Sequence, residues 1–99
     1  MALGDAVVVA STSVANGSSL TIQPGSGIEW IIHNVYVPEG SAIEVYATDG
    51  SNAIKFDSNP SGGFRQEHWH LTNAQYFTIK NVSGSSIYMK YDGIITKST

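Results

Sequence analysis

The sequence predicts an all-β fold: a single-domain antiparallel β-sandwich, jelly-roll-like, with about eight short strands. Turn-forming pairs recur at strand-sized intervals, among them Asn16-Gly17, Asp49-Gly50, Ser83-Gly84 and Asp92-Gly93. Gly reaches positive φ and Asn or Asp tolerates the left-handed region, so each pair indicates a chain reversal. Between the turns, β-branched and aromatic residues alternate with polar ones, and no segment shows the apolar period of a helix.

The strands are expected in the gaps between these turns. Their expected bounds are Asp5–Ser11, Ser19–Gln23, Ile28–Val37, Ala42–Thr48, Asn52–Asp57, Phe64–Leu71, Gln75–Val82 and Ser86–Thr96. This many short antiparallel strands in 99 residues match a two-sheet sandwich. A jelly roll is the leading topology, and an immunoglobulin-like sandwich is the alternative.

Most of these strands have one apolar and one polar face. In the fourth strand, Ile43 and Val45 alternate with Glu44 and Tyr46, as expected for a strand with one side in the core. The third strand differs, because both of its faces are largely apolar. One face holds Ile28, Trp30, Ile32 and Tyr36, and the other holds Ile31, Val35 and Val37. This pattern predicts a strand that is covered on both sides, the second side by a neighbouring subunit.

The length and composition predict one domain over residues 1–99, with residues 1–4 and 97–99 as flexible arms. Charged residues make up only 13% of the chain, the net charge is −3, and there is no run of Lys or Arg. Such a chain lacks the basic surface that nucleic acids attract, so we expect no nucleic-acid partner. No stretch predicts a membrane span or a secretion signal.

The absence of cysteine excludes disulfides, thiolate catalysis and Cys-based zinc sites. A small domain without such cross-links often depends on oligomerisation for stability. The chain also lacks a Gly-x-Ser-x-Gly motif, and nothing in the sequence places two carboxylates, such as Glu29 and Glu44, across a cleft. We therefore expect no enzymatic activity and no cofactor.

The segment FRQEHWHLTN, residues Phe64–Asn73, carries two histidines one residue apart. In a strand, Trp69 and Leu71 share one face and His68 and His70 share the other, so the histidines face outward if the core takes the apolar pair. A metal bound by His68, His70 and His33 is one alternative, since the segment resembles the start of the cupin metal motif. Cupins also use a glutamate shortly after these histidines and a later histidine, which this chain lacks. We therefore expect a surface or subunit contact and no metal.

The aromatic residues allow a second class of function, carbohydrate binding. Aromatic faces stack on sugar rings, and amide side chains bind the hydroxyl groups. An exposed row that includes Trp30 and Tyr46 would be the signature of such a module. Packing in the core or in an interface is the more frequent fate of large aromatic side chains.

Three short elements stand out in the C-terminal half of the chain. They are His70-Leu71-Thr72-Asn73, Ile79-Lys80-Asn81-Val82-Ser83-Gly84 and Tyr91-Asp92-Gly93. Together they resemble the ending of small structural proteins that are encoded near the capsid genes of tailed bacteriophages. In the N-terminal half, the Pro24-Gly25 turn leads into a long aromatic strand, which is similar to virion sandwiches.

The resemblance implies a decoration or cement protein, located in the virion, that binds the outside of an assembled capsid and stabilises the shell. Its partner would be the major capsid protein or another virion protein, and it would act as a homo-oligomer, commonly a trimer. A head fibre or a tail adaptor is the alternative within the same class. The N-terminal segment Ala2–Ser11 is expected to dock as an added strand. The expected contact residues, between subunits or with the capsid, are Trp30, His33, Tyr36, Arg65, His68 and His70.

Overall fold

The computed structural model describes residues 3–8, 11–58, 63–64 and 67–97 of the chain. Ten short strands form within these ranges. They are β1 (Ala6–Val8), β2 (Thr12–Val14), β3 (Ser19–Ile22), β4 (Glu29–Tyr36), β5 (Ile43–Thr48), β6 (Ala53–Ser58), β7 (Gly63–Phe64), β8 (Trp69–Thr72), β9 (Tyr76–Asn81) and β10 (Ile87–Lys97). The described ranges contain no helix that is long and apolar enough to span a membrane.

The strands form two antiparallel sheets, which confirms the predicted all-β sandwich. In sheet I, the long strand β10 pairs with β4 along one of its edges. The other edge of β10 pairs with β1 and β2. The other edge of β4 pairs with β7 and β8. Sheet II has the order β3-β9-β5-β6. Each sheet is thus four strand positions wide, because β1 with β2 and β7 with β8 share a position.

The pairing is nested, from the two ends of the chain towards its middle. β1 and β2 pair with β10, β3 pairs with β9, β4 pairs with β7 and β8, and β5 pairs with β6. Successive pairs alternate between sheet I and sheet II. This is the arrangement of a long hairpin rolled into two sheets, which is the jelly-roll topology that the strand pattern favoured.

Two of the expected strands differ from the structure. The expected strand Asp5–Ser11 contains only β1, and β2, which was not expected, follows it and pairs with a different part of β10. Instead of Phe64–Leu71, the chain forms β7 and β8, which pair with the two ends of β4. Residues 9–10 and 65–66, between these pieces, lie outside the described ranges.

The core lies between the two sheets and receives alternate side chains from both. Its buried members are Val7, Val14, Leu20, Ile22, Ile32, Val35, Val37, Ile43, Val45, Phe64, Leu71, Ile79, Met89, Tyr91 and Ile95. Full burial of one such side chain stabilises the fold by about 1.5–3 kcal/mol relative to exposure. In β5 and β10, the buried residues alternate with more exposed ones, as the pattern of apolar and polar residues indicates.

A β-bulge in β4 overturns the expectation that this strand is apolar on both faces. The neighbours Asp92 and Gly93 in β10 pair with Asn34 and Ile32, so His33 is skipped in the pairing. Side chains change face across a bulge, and Ile32 and Val35 are therefore both fully buried although they are three residues apart. The strand therefore has one core face, and on its other side Ile31 is an apolar residue among polar ones such as Asn34.

The same bulge explains a second departure from the sequence pattern. Asp92-Gly93 does not form a turn, since both residues lie inside β10, opposite the bulge.

The predicted terminal arms are partly bonded to sheet I. The N–H of Gly4 donates to the carbonyl oxygen of Ile95 over 2.8 Å, and Lys97 pairs with Glu29.

Candidate functional site

The histidine segment has the orientation that its alternation predicts. Leu71 is fully buried, Trp69 packs against the core, and His68 and His70 are exposed. The indole of Trp69 lies 5.0 Å from the ring of Phe64 and 4.8 Å from the ring of Phe77, measured between ring centroids. Because Phe77 belongs to sheet II, Trp69 joins the two sheets near their edge.

The histidines do not converge on one point. The rings of His33 and His68 meet edge to face with centroids 5.4 Å apart, whereas His70 Nε2 lies 2.9 Å from Glu29 Oε1. Among the described residues, no group of three or more His, Asp or Glu side chains is arranged to hold a metal ion. The alternative of a site formed by His68, His70 and His33 thus has no geometric support.

The bulged residue His33 is held by the backbone of the histidine segment. Its Nδ1 lies 2.9 Å from the carbonyl oxygen of Glu67, and its own carbonyl oxygen accepts the N–H of Glu67 over 2.8 Å. A carbonyl oxygen only accepts, so Nδ1 carries the proton and donates. These bonds fix the approach of residues 67–68 to β4 and place the His33–His68 pair at the surface of sheet I.

The other expected contact residues are separated by the fold. Trp30 packs against the core, with its ring centroid 6.2 Å from that of Tyr91. Its Nε1 is buried and has no hydrogen-bond partner within the described part of the chain. Tyr36 is half-buried, with the Lys90 ammonium 5.6 Å from its ring centroid. Arg65 lies outside the described residues.

The outer surface of sheet I carries exposed apolar side chains on neighbouring strands. Ile94 of β10 lies opposite Ala6 on one side and Ile31 on the other, and His70 follows Ile31 in the same row. Val8 and Tyr88 are each 65% exposed and point away from the core, as does Ile94 at 37%. We call Val8, Ile31, Tyr88 and Ile94 the outer apolar face.

The outer surface of sheet II is polar by comparison. Glu44 accepts a hydrogen bond from the Tyr46 hydroxyl over 2.7 Å. It also forms an ion pair with Lys55, in which Lys55 Nζ lies 3.0 Å from Glu44 Oε2. These two bonds hold the pKa of Glu44 below its usual value, and the same Tyr46–Glu44 bond raises the pKa of the tyrosine. The Tyr46 hydroxyl is thus engaged, and Tyr46 and Trp30 do not form the exposed aromatic row expected of a sugar-binding module.

A pocket of about 290 Å³ opens at one end of the sandwich. It lies where the turn between β5 and β6 comes close to the turn between β8 and β9. Its lining consists of Ala47, Thr48, Asp49, Asn52, Ile54, His70, Gln75, Tyr76 and Phe77. The sequence marks the first turn with Asp49-Gly50 and leaves the second only as the gap between two expected strands. The strand order brings the two turns together, so sequence reasoning missed this site.

Comparison with known protein families and with curated proteins finds no match to this chain. The function is therefore inferred from the geometry of the molecule. Two surfaces carry chemistry that the fold itself does not use: the outer apolar face of sheet I and the pocket at the end of the sandwich.

Proposed function

We propose that this chain is a non-enzymatic structural protein of a virion. In this role it is a decoration protein that binds the outside of a tailed-phage capsid as a homotrimer and stabilises the assembled shell. The resemblance of the C-terminal half to small phage structural proteins supports the class of protein. The observation that carries the proposal is the outer apolar face, because exposed apolar side chains grouped on one side of a sheet mark a surface for a protein partner. On β10, Lys90 and Asp92 lie between Tyr88 and Ile94 within this face.

The size of this face suits weak contacts that are repeated many times. Burying Val8 and Ile94, which are 65% and 37% exposed, contributes less than the roughly 1.5–3 kcal/mol of a fully exposed aliphatic side chain, before the cost of association is subtracted. One copy therefore binds weakly. A trimer presents three such faces to a lattice with repeating subunits, and the later contacts then form at high effective concentration.

The edge of sheet I adds a second means of contact. β1 pairs with β10 on one side, and within the described ranges no strand pairs with its other side. An edge strand offers unpaired N–H and C=O groups to an incoming strand. β1 lies within the predicted docking segment Ala2–Ser11, and it also carries Val8, so the edge and the outer apolar face adjoin each other.

The proposal predicts that a charge within the outer apolar face weakens capsid binding. Ile94→Lys places an ammonium group in the contact and is expected to lower binding to tailed-phage heads from the source of this gene at least tenfold. Val82→Lys is the matched control, because Val82 has the same 37% exposure but lies directly after β9 of sheet II, away from the outer apolar face. Co-sedimentation of each purified protein with the heads measures the effect.

Two further observations decide the finer parts of the proposal. Native mass spectrometry is expected to show a trimer of the 10.6 kDa chain. Antibody labelling in electron micrographs is expected to cover the shell, whereas a head fibre or a tail adaptor would label only vertices or the tail. Equal binding of the Ile94→Lys and Val82→Lys proteins, or no binding of the unaltered protein, would refute the role of this face.

A further inference from the structure

The pocket owes its existence to a small residue between two large ones. Phe77, Ala47 and Ile54 lie opposite one another on β9, β5 and β6 and face the inner side of sheet II. The methyl group of Ala47 leaves a recess between its two larger neighbours. Ile54 remains 65% exposed although it points inward, so sheet I does not cover this end of the row. The result is an open recess with an apolar floor.

Polar side chains surround this floor on two turns that are each pinned by hydrogen bonds. In the first turn, Asp49 Oδ1 accepts the N–H groups of Ser51 and Asn52 over 2.9 and 2.8 Å. In the second, the N–H of Gln75 donates to Thr72 Oγ1 over 3.0 Å, and the N–H of Thr72 donates to the carbonyl oxygen of Gln75 over 2.8 Å. The rim is therefore preorganised, which lowers the cost of binding.

The electrostatic character of the rim excludes whole classes of ligand. The backbone bonds from Asn52 and Ser51 lower the pKa of Asp49, so its carboxylate is charged at neutral pH. His70, at the pocket wall, is hydrogen-bonded to a second carboxylate, that of Glu29. No Lys or Arg is among the described lining residues. Phosphates, nucleotides and acidic ligands are thus disfavoured.

The remaining features fit a neutral sugar. A pyranose ring has an apolar face, which packs on aromatic and aliphatic side chains, and a ring of hydroxyl groups around its edge. A carboxylate accepts from hydroxyls and a side-chain amide both donates to and accepts from them. Phe77 and Ile54 meet the first requirement from the floor, and Tyr76, which alternates to the other side of sheet II, lines the rim. Asp49, Asn52 and Gln75 meet the second requirement. Its volume lies near the lower end of the usual range for ligand sites, which suits one sugar ring.

We infer that this pocket binds a neutral pyranose, such as the terminal residue of a glycan. The site differs from the one first suggested by the aromatic residues, since neither Trp30 nor Tyr46 lines it. Its floor is distinct from the outer apolar face, although His70 of its wall lies in the same row as Ile31 and Ile94. A ligand with about a dozen non-hydrogen atoms in an open pocket is expected to bind with a Kd on the order of millimolar.

The experiment is an NMR titration of the full chain labelled with ¹⁵N. The probes are methyl glucopyranoside, methyl galactopyranoside and N-acetylglucosamine, with N-acetylneuraminic acid as the anionic comparison and glycerol as the polyol control. At least one neutral sugar is expected to cause saturable shifts confined to the amides of residues 47–54 and 70–77. Shifts that do not saturate by about 50 mM, shifts that map elsewhere, or equal binding of the anionic sugar would overturn the inference.

Three variants test which side chains bind the sugar. Tyr76→Ala removes an aromatic side chain from the rim and is expected to weaken binding about twofold to tenfold. Gln75→Ala removes an exposed amide without altering the backbone bonds of its turn, and a loss of about threefold to tenfold is expected. Tyr88→Ala is the matched control, since it deletes an exposed tyrosine from the outer apolar face.

The pattern across these variants separates the two sites. If Tyr76→Ala does not fold, Gln75→Ala alone carries the test. Unchanged sugar binding in Gln75→Ala, or equal weakening in Tyr88→Ala, would contradict the assignment. Ile94→Lys tests capsid binding through the outer apolar face. If this substitution leaves capsid binding unchanged while sugars still bind in the pocket, the proposed function is refuted and the pocket assignment remains valid.

Discussion

Gly93→Ala is expected to lower the free energy of unfolding by about 3 kcal/mol or more, or to prevent folding altogether. A Cβ on Gly93 would lie 2.1 Å from the carbonyl oxygen of Ile31 and 2.8 Å from the Cα of Ile32. Both are backbone atoms of β4, so no side-chain rotation relieves the clash. The bulge that skips His33 would have to open, and the burial of Ile32 and Val35 depends on that bulge.

Gly25→Ala is the matched control for this prediction. A Cβ at Gly25 would meet only the Cδ1 of Ile28, at an ordinary contact distance of 3.5 Å. Gly25 is not among the glycines with positive φ. Its replacement is expected to change stability by less than about 1 kcal/mol in either direction. Urea denaturation of the two variants measures the difference, and equal midpoints would show that β4 and β10 are not held closely at the bulge.

The bulge also marks the limit of what the sequence pattern can predict. The alternation in β5, with Ile43 and Val45 inside and Glu44 outside, follows from one residue per pleat and was confirmed. In β4 the alternation of inward and outward side chains is interrupted, because the bulge adds a residue and the side chains after it change face. Asp92-Gly93 was predicted to be a turn from its residue types alone. Gly93 instead allows β10 to lie close to β4 at the bulge. Only the pairing of β10 with β4 shows this role.

The two candidate surfaces differ in how far the sequence predicts them. The outward orientation of His68 and His70 follows from Trp69 and Leu71, because these alternate within a single strand. The pocket unites the turn at Asp49, the wall residue His70 and the turn at Gln75, which belong to different strands and to both sheets. Their proximity depends on strand order and register, and a local pattern carries no information about either.

Asn81→Asp is expected to destabilise the protein by about 4 kcal/mol at pH 7, since it removes two buried hydrogen-bond donors and adds a buried charge. Asn81 is fully buried. Its Nδ2 donates to the carbonyl oxygens of Val14 and Ser85 over 2.8 and 2.7 Å, and its Oδ1 accepts from Ser83. A carboxylate keeps the Ser83 bonds but sets an anionic oxygen against two carbonyl oxygens.

Asn16→Asp is the matched control for this substitution. Asn16 is exposed, and its Oδ1 accepts the N–H of Gly84 over 2.9 Å. A carboxylate accepts the same bond and stays in water, so the change is expected to cost less than about 0.5 kcal/mol. Both substitutions add one negative charge to the chain, and a comparison of the two therefore removes the effect of net charge.

The pH dependence distinguishes a lost donor from a general packing defect at Asn81. Burial and the carbonyl oxygens of Val14 and Ser85 raise the pKa of the carboxyl introduced by Asn81→Asp above its unfolded value of about 3.9, and they outweigh the two bonds from Ser83. Protonation favours the folded variant, because the neutral acid restores one donor to the carbonyls. The stability deficit relative to the parent protein should therefore be smallest near pH 4 and grow as the pH rises through the folded pKa. Denaturation curves from pH 4 to pH 8 measure this trend, and a deficit that is constant over that range would show that the two carbonyl oxygens do not depend on the Asn81 amide.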